Sequence, residues 1–290
     1  MAEASVLSWN RYGKSRIRLV KVRRAGSRHE VVDLTLNVQL EGAFEAVYTE
    51  GDNASCLATD TMKNTVYAFA RQDPLEHVEA FALRLADHFI GKPAVSSVRI
   101  SASEDRWDPL GVAGGAEPHT FVKSGGEQWT AEITHDRDGA HVVSGLTNLV
   151  VMKTADSAFA GFPRDEYTTL PETEDRIMAT AITASWRFRD GTTAFAARDA
   201  IRSALLASFA AHKSRSVQHT LHAMGESALA ACPDATEITL AMPNRHHLLV
   251  DLSPFGLDNP NQVFHVDDRP YGLIEGTVLA DGATPDSGAW

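Results

Sequence analysis

The sequence predicts an α+β fold built from two successive units, each an antiparallel sheet with helices on one face. Three observations predict it. Val32-Asp33-Leu34-Thr35-Leu36-Asn37-Val38-Gln39-Leu40 alternates between apolar and polar residues, the period-two mark of a strand with one buried and one wet face. Leu75, Val78, Ala82, Leu85 and Phe89 fall at helical spacing instead. The same succession of strands and helices then returns in the second half, in pattern and not in identical residues. Antiparallel strands with segregated helices define the α+β class. The expected units are residues 1–140 and 141–290.

Taken in order, a first strand mixes Ile17 and Leu19 with Arg16, Arg18 and Lys21, and the alternating strand follows. Asp73-Pro74 opens the helix and Gly91-Lys92-Pro93 closes it. Residues 95–100 and 141–143 read as short strands, and the Gly-rich, aperiodic stretch 110–126 reads as a loop. Residues 182–188 alternate again and end at the turn Asp190-Gly191. Residues 195–231 are helical and divide near 213–216, where polar residues cluster. Residues 237–242 and 247–252 give two more strands around Pro243-Asn244.

The 290 residues carry 27 Lys+Arg against 38 Asp+Glu, a formal charge of −11. That balance offers no basic stripe for nucleic acid. A hydrophobic content of 43% excludes general disorder. No apolar run approaches the ~20 residues of a membrane span, and the opening residues, with Glu3, show no leader pattern. Two cysteines, Cys56 and Cys232, fit a reducing compartment, so a cytoplasmic protein is expected. Cys56 reads as a packed core thiol. No Walker loop, GxGxxG or HExxH is present. His212, His219 and His222 read as a solvated helix face, because no carboxylate completes a metal set around them. Gly225-Glu226-Ser227-Ala228-Leu229 lacks the closing glycine of a nucleophile elbow.

Several unusual strings remain: Arg11-Tyr12-Gly13-Lys14, Ala58-Thr59-Asp60-Thr61 with Lys63-Asn64-Thr65, and Phe159-Ala160-Gly161-Phe162-Pro163-Arg164-Asp165. Further on stand Tyr167-Thr168-Thr169-Leu170, Asp175-Arg176-Ile177, Ser216-Val217-Gln218 and Pro243-Asn244-Arg245-His246-His247. Together, from Tyr12 to Ile274 and in order, they resemble the urate oxidases (uricases). Arg245 stands where that family often has lysine. The Ser-Lys-Leu tail of its peroxisomal members is absent, which favours a bacterial, cytoplasmic form.

The resemblance implies tandem tunnelling-fold (T-fold) units, with sheets pairing between subunits into an oligomeric barrel, and a homotetramer with active sites at subunit interfaces. It implies oxidation of urate by O2 and water to 5-hydroxyisourate and hydrogen peroxide, with no metal or organic cofactor. Partners would then be urate, O2 and copies of the chain, with no nucleic acid and no membrane. Carried over by residue, Phe159 stacks on the urate ring and Arg176 forks onto its oxygen and nitrogen edge. Gln218 reads the opposite amide edge, and Leu170, Val217 and Ile274 form apolar walls. Asp60 binds through its main-chain N–H. Lys14 and Thr59 act as the base, with His246 completing the proton relay. Asn244, with Thr59, holds O2 and then water. A lysine in water is protonated near neutrality (~10.4), so the base role demands desolvation or neighbouring cations. Lys14 and Phe159 are expected from one chain and Thr59 with Asp60 from its symmetry mate. His247, one residue past His246, should face the other side of its strand.

Without the resemblance, Phe159 reads as a core aromatic and Arg176 as the ion-pair partner of Asp175 or Glu172. Gln218 and Lys14 read as solvated surface residues, and Thr59 as a strand former. Two other functions compete: a different purine- or pterin-handling T-fold enzyme, such as a GTP cyclohydrolase, and a non-catalytic purine-binding protein. The latter has no need of Lys14, Thr59 and His246.

Overall fold

The computed structural model describes residues 5–112, 115–189, 195–267 and 269–285, in two compact units that divide between Gly145 and Leu146. The first contains β1 (Tyr12–Ala25), β2 (Arg28–Gly42), a single-turn α1 (Glu45–Thr49), α2 (Thr59–Gln72), α3 (Val78–Ile90), β3 (Val95–Val112) and β4 (Gly115–His135). Its strands lie in the order β1-β2-β3-β4, each antiparallel to the next. The alternation of residues 32–40 sorts by face. Leu34, Leu36, Val38 and Leu40 are fully buried and share one core with Met62, Val66, Phe81, Leu85 and Phe89 of α2 and α3. Burying one such leucine is worth about 1.5–3 kcal/mol. The other face sets Asp33, Thr35, Asn37 and Gln39 opposite Asp105, Ser103, Ser101 and Arg99. A bulge interrupts β1 between Lys14 and Ile17, where Arg16 takes φ 56° and its N–H donates to Asn37 Oδ1 at 2.8 Å.

The second unit takes in the later residues of β5 (Ala140–Lys153), then β6 (Met178–Phe188), α4 (Arg198–Ala211), α5 (Val217–Ala231), β7 (Ala235–Leu249), β8 (Phe264–Asp267) and β9 (Leu273–Leu279). Strand β7 pairs antiparallel with β6, with β9 over Glu237–Pro243, and with β8 over His246–Leu249. Ile182, Ala184, Trp186, Ile238, Leu240 and Met242 are buried on the sheet, and Ile201, Leu205, Leu221 and Met224 on the helices. Two glycines set how closely α5 lies on β9. A Cβ at Gly225 would stand 2.5 Å from Val278 Cγ2, and one at Gly276 would stand 3.0 Å from Leu221 Cδ2. The helical stretch divides over 212–216, as the polar cluster predicts.

Three expectations fail, each for a physical reason. Residues 110–126 are arms of the β3–β4 hairpin, with Pro109 opposite Phe121 and Gly111 opposite Ala116; residues 113–114 are not among those described. Most of the side chains described there are exposed, so no one-sided burial writes a period into the sequence. A second helix, α2, precedes the one the spacing marks, and α3 begins at Val78, past Asp73-Pro74. Helix α2 buries only Met62, Val66 and Ala70 and has no side-chain cap at Ala58, so it carries no start signal. Lastly, Pro243 lies inside one continuous β7. The β6 ladder passes from Thr180↔Asn244 to Thr183↔Ala241, lapsing opposite Pro243, so the missing N–H costs no rung there. The turn at Asp190-Gly191 lies outside the described residues. Among those described, no helix is long and apolar enough to cross a membrane.

Candidate active site

In the first unit, α2 runs alongside β1. Tyr12 stands edge-on to Phe44 at 4.8 Å, with its hydroxyl beside Cys56 and Leu57, and its pKa is pushed up to about 12, mainly by burial and then by Cys56. Cys56 is accordingly half-buried and not a core thiol. Farther along, the Tyr67 hydroxyl donates to the Arg18 carbonyl at 3.3 Å, and Lys21 Nζ donates to the Ala70 carbonyl at 2.8 Å. This alignment puts Lys14 beside the first turn of α2, Thr59-Asp60-Thr61.

The electrostatics agree. The Asp60 carboxyl is held below the usual carboxylate range first by the hydrogen bond from Lys63, then by Asn64 and by the charge of Lys14. Lys63 Nζ reaches Oδ1 at 2.5 Å and Asn64 Nδ2 reaches Oδ2 at 2.9 Å. With its carboxylate turned onto its own helix, Asp60 has its main-chain N–H to offer. The first intrahelical bond runs from Met62 N–H to the Ala58 carbonyl at 3.2 Å. The N–H groups of Thr59, Asp60 and Thr61 therefore project from an uncapped helix end, a natural anion seat. Within one chain, Lys14 and the first turn of α2 lie in the same unit, close enough for the Lys14 charge to act on Asp60.

In the second unit the residues hang on one backbone rail, 156–159. Phe159 and Thr173 exchange N–H···O bonds of 2.8 and 3.0 Å, and the Ser157 carbonyl accepts the Arg176 N–H at 2.7 Å. On its other side Ala158 N–H donates to the Ser214 carbonyl at 2.8 Å, and Ser214 N–H to the Asp156 carbonyl at 2.9 Å. The rail thus fixes Phe159 and Arg176 against the junction that leads into α5. The Arg176 Cζ lies 5.2 Å from the centre of the Phe159 ring, which also stacks on Phe162 at 4.9 Å and 15°.

Arg176 is the most telling group. Its Nε is buried with no acceptor, and burial draws its pKa below the ordinary value. The two carboxylates that sequence offers it face elsewhere: Asp175 Oδ1 accepts from Ser157 N–H at 3.4 Å and Glu172 Oε1 from Gly161 N–H at 3.2 Å. Among the described residues it forms no ion pair. A half-buried, uncompensated guanidinium beside an aromatic face is built to receive a flat anion.

The remaining predicted residues gather at the same end of the second unit's sheet. Ser216 caps α5, its Oγ accepting the His219 N–H at 3.1 Å, and leaves Val217 and Gln218 at the open end. Leu221 meets Gly276 and the next turn, Gly225, meets Val278, so α5 and β9 run in the same direction. One turn earlier, buried Val217 falls level with Ile274. Ile274 pairs with Met242 on β7, and Asn244 follows two residues on, its N–H donating to the Gly272 carbonyl at 2.8 Å. His246 lies on the same face of β7 as Asn244. His247 turns away, its Nδ1 3.0 Å from the Arg245 carbonyl. Leu170 is half-exposed on the loop between Phe159 and Thr173.

Sequence reasoning passed over the residues that hold this set: Ser157, Thr173 and Ser214, and Lys63 in the first unit. They act through backbone bonds or short local contacts, and no periodicity marks them. Among the described residues, no cluster of three or more His, Cys, Asp or Glu is placed to hold a metal.

A sheet-and-helix unit used twice, an unpaired guanidinium over a phenylalanine, and a lysine beside an open helix end define a class: an enzyme that seats a planar anion and moves a proton at it. A family model described as Uricase matches residues 10–134 and 142–275. The chain is 45% identical over 287 residues to a uricase from Arthrobacter globiformis, covering 98% of this chain and 93% of that one. It is 36% identical to a uricase from Dictyostelium discoideum, covering 93% and 96%. The crystal structure of the Arthrobacter globiformis uricase superposes with a TM-score of 0.91 at 44% identity, covering 98% of each chain. The chain belongs to the uricase family, which sets aside the GTP cyclohydrolase and non-catalytic readings.

Proposed function

We propose that the two groups of residues are complementary halves of a urate site shared between subunits, one half holding the ring and the other handling its protons. The family's activity is this chain's: urate oxidation by O2 and water to 5-hydroxyisourate and hydrogen peroxide. On this reading Arg176 grips the urate oxygen and ring nitrogen, Phe159 stacks on the face, and Gln218 takes the far amide edge. Val217, Ile274 and Leu170 wall the ring. The partner subunit's Thr59 and Asp60 meet the urate edge with main-chain N–H groups. The partner subunit's Lys14 withdraws a proton through the partner's Thr59 hydroxyl, and His246 carries it onward. The dianion can then give an electron to O2 held by Asn244, and water later attacks at the same place. The assembly is a homotetramer, and its setting is the cytoplasm, in keeping with two unbridged cysteines.

The single observation that carries this reading is Arg176, half-buried, its buried Nε without an acceptor, lying over Phe159. The test is direct. In metal-free, aerated buffer the protein should consume urate absorbance and release equimolar peroxide. A protein that binds a urate analogue but produces no peroxide would defeat the catalytic half of the proposal.

A further inference from the structure

One feature of the second unit lies outside the roles above. His212 ends α4 and His219 is the third residue of α5, and their rings meet across the junction. His212 Nε2 stands 3.2 Å from His219 Nδ1, with ring centres 4.3 Å apart at 68°. No third ligand completes a metal set around them among the described residues. What the pair does is close a loop: residues 213–218, including Ser214, Ser216 and Gln218, lie between the two rings.

Inside that loop the bonding is continuous. Thr220 Oγ1 donates to buried Ser214 Oγ at 2.8 Å, Ser214 Oγ donates to the Ser216 carbonyl at 3.0 Å, and Ser216 Oγ takes the His219 N–H. Lys153 on β5 donates to the His212 carbonyl from outside. Gln218 itself is exposed, so its direction depends on this frame and not on packing of its own side chain. We propose that His212 and His219 are positioning residues for substrate binding, a clasp across the α4–α5 junction that fixes the direction of Gln218. The inference rests on the assignment of Gln218 to the urate edge.

A histidine–histidine bond needs at least one ring nitrogen with a free lone pair. One added proton can be shared along the N···N line, so the clasp survives it. Two protons leave only donors facing each other, and the clasp opens. Burial first, then His219 and Lys153, lower the pKa of His212. The groups around the pair are Lys153 on β5, Lys213 and Arg215 in the junction, Asp156 on the facing rail, and His222 one turn along α5, itself 3.4 Å from Glu226. Four of these five are cationic or able to become so. With the folded-state value depressed, the clasp's contribution is present above the ordinary histidine value of ~6.5 and is lost as pH falls.

The test uses three proteins: native, His219→Leu, and the double variant His212→Gln with His219→Asn, whose amides mimic Nε2 and Nδ1 yet do not titrate. Urate KM and kcat, and hydrogen exchange of amides 214–220, are followed from pH 8 to 5. In His219→Leu, KM should rise roughly three- to tenfold with kcat nearly unchanged and the junction amides exchanging faster. The amide pair should restore native KM at pH 8. Native KM should climb toward the acid end of that range, whereas that of the amide pair stays flatter. Unchanged KM and exchange in His219→Leu, or parallel pH profiles in native and amide-pair proteins, would overturn the clasp. Faster exchange with an unmoved KM would overturn its link to substrate. Gln218→Ala, measured alongside, shows whether that failure lies in the clasp or in the role given to Gln218.

Discussion

The two groups of candidate residues differ in how their charges are met. In the first unit the Asp60 carboxylate finds company within one helical turn, holding Lys63 and Asn64, and feels Lys14 from β1. Those groups are exposed or half-exposed, so water screens them and the local structure is content without a ligand. In the second unit Arg176 is half-buried, lacks an acceptor at Nε, and has its neighbouring carboxylates engaged elsewhere. Desolvating a cation without a partner costs stability. The difference teaches a division of labour. The second unit holds an unmet demand for an anion, and binding energy comes from meeting it. On the proposed assignment the first unit supplies the proton-handling group, and its local charges are met without a ligand.

Breaking the proton-handling half should produce the largest effect. Lys14→Met should lower kcat by roughly 10²–10⁴-fold, the range of a lost general base, while a non-oxidisable urate analogue binds almost as before. Stopped-flow turnover and calorimetric titration separate the two. Comparable losses in both would move Lys14 into the binding half. Arg176→Ala should do the reverse, costing about 1–3 kcal/mol of analogue affinity because urate oxygens are left unpaired. The free variant should be no less stable than the native protein, since the substitution removes an uncompensated buried charge. Unchanged affinity would take Arg176 out of the binding half.

How much of this is legible in the sequence follows from what writes a period. The Leu34–Leu40 alternation was readable because burial on one face repeats along the chain, and the α4–α5 division because a polar cluster interrupts the helical stretch. Helix α2 was not, for its buried positions are sparse and its end is uncapped. That omission matters: read as a strand former, Thr59 gives no hint that three free N–H groups surround Asp60. The lack of an ion pair at Arg176 was equally invisible, since Asp175 and Glu172 are adjacent in sequence and turn away only in the fold. Tight backbone clips, such as Phe159 with Thr173, leave no compositional trace at all.

The comparison also predicts which damaged chains can repair one another. If each site takes Lys14, Thr59 and Asp60 from one subunit and Phe159, Arg176 and Gln218 from another, then Lys14→Ala and Arg176→Ala fall in different halves. A mixed dimer holds one doubly damaged site and one native site. Assayed at low urate, where the affinity lost in Arg176→Ala suppresses its turnover, random exchange of the two parents should restore about a quarter of native activity. Lys14→Ala with Thr59→Val should restore nothing, because both substitutions strike the same half. Mass spectrometry confirms exchange. Recovery in the second mixture, or none in the first, would show the halves to be drawn wrongly.

The smallest effect should come from Tyr12, two residues before Lys14 on β1. Tyr12 places its hydroxyl beside the Cys56 thiol, a weak partner, and burial with Cys56 raises its pKa from 10.0 to about 12. A group whose folded value lies above its unfolded value contributes stability below the unfolded value and loses it as pH rises through the folded one. For Tyr12 that window runs from pH 10.0 to about 12. The binding half has no counterpart, because arginine keeps its charge throughout that range. Tyr12→Phe removes the ionising group and keeps the ring against Phe44, so stability at pH 8 should change by less than about 1 kcal/mol. The gap between variant and native should then move in the variant's favour as pH climbs past 10. Urea midpoints of the two proteins, compared at each pH so that lysine titration cancels, measure this. An identical alkaline decline in both would mean that Tyr12 ionises as freely in the folded protein as in the unfolded chain.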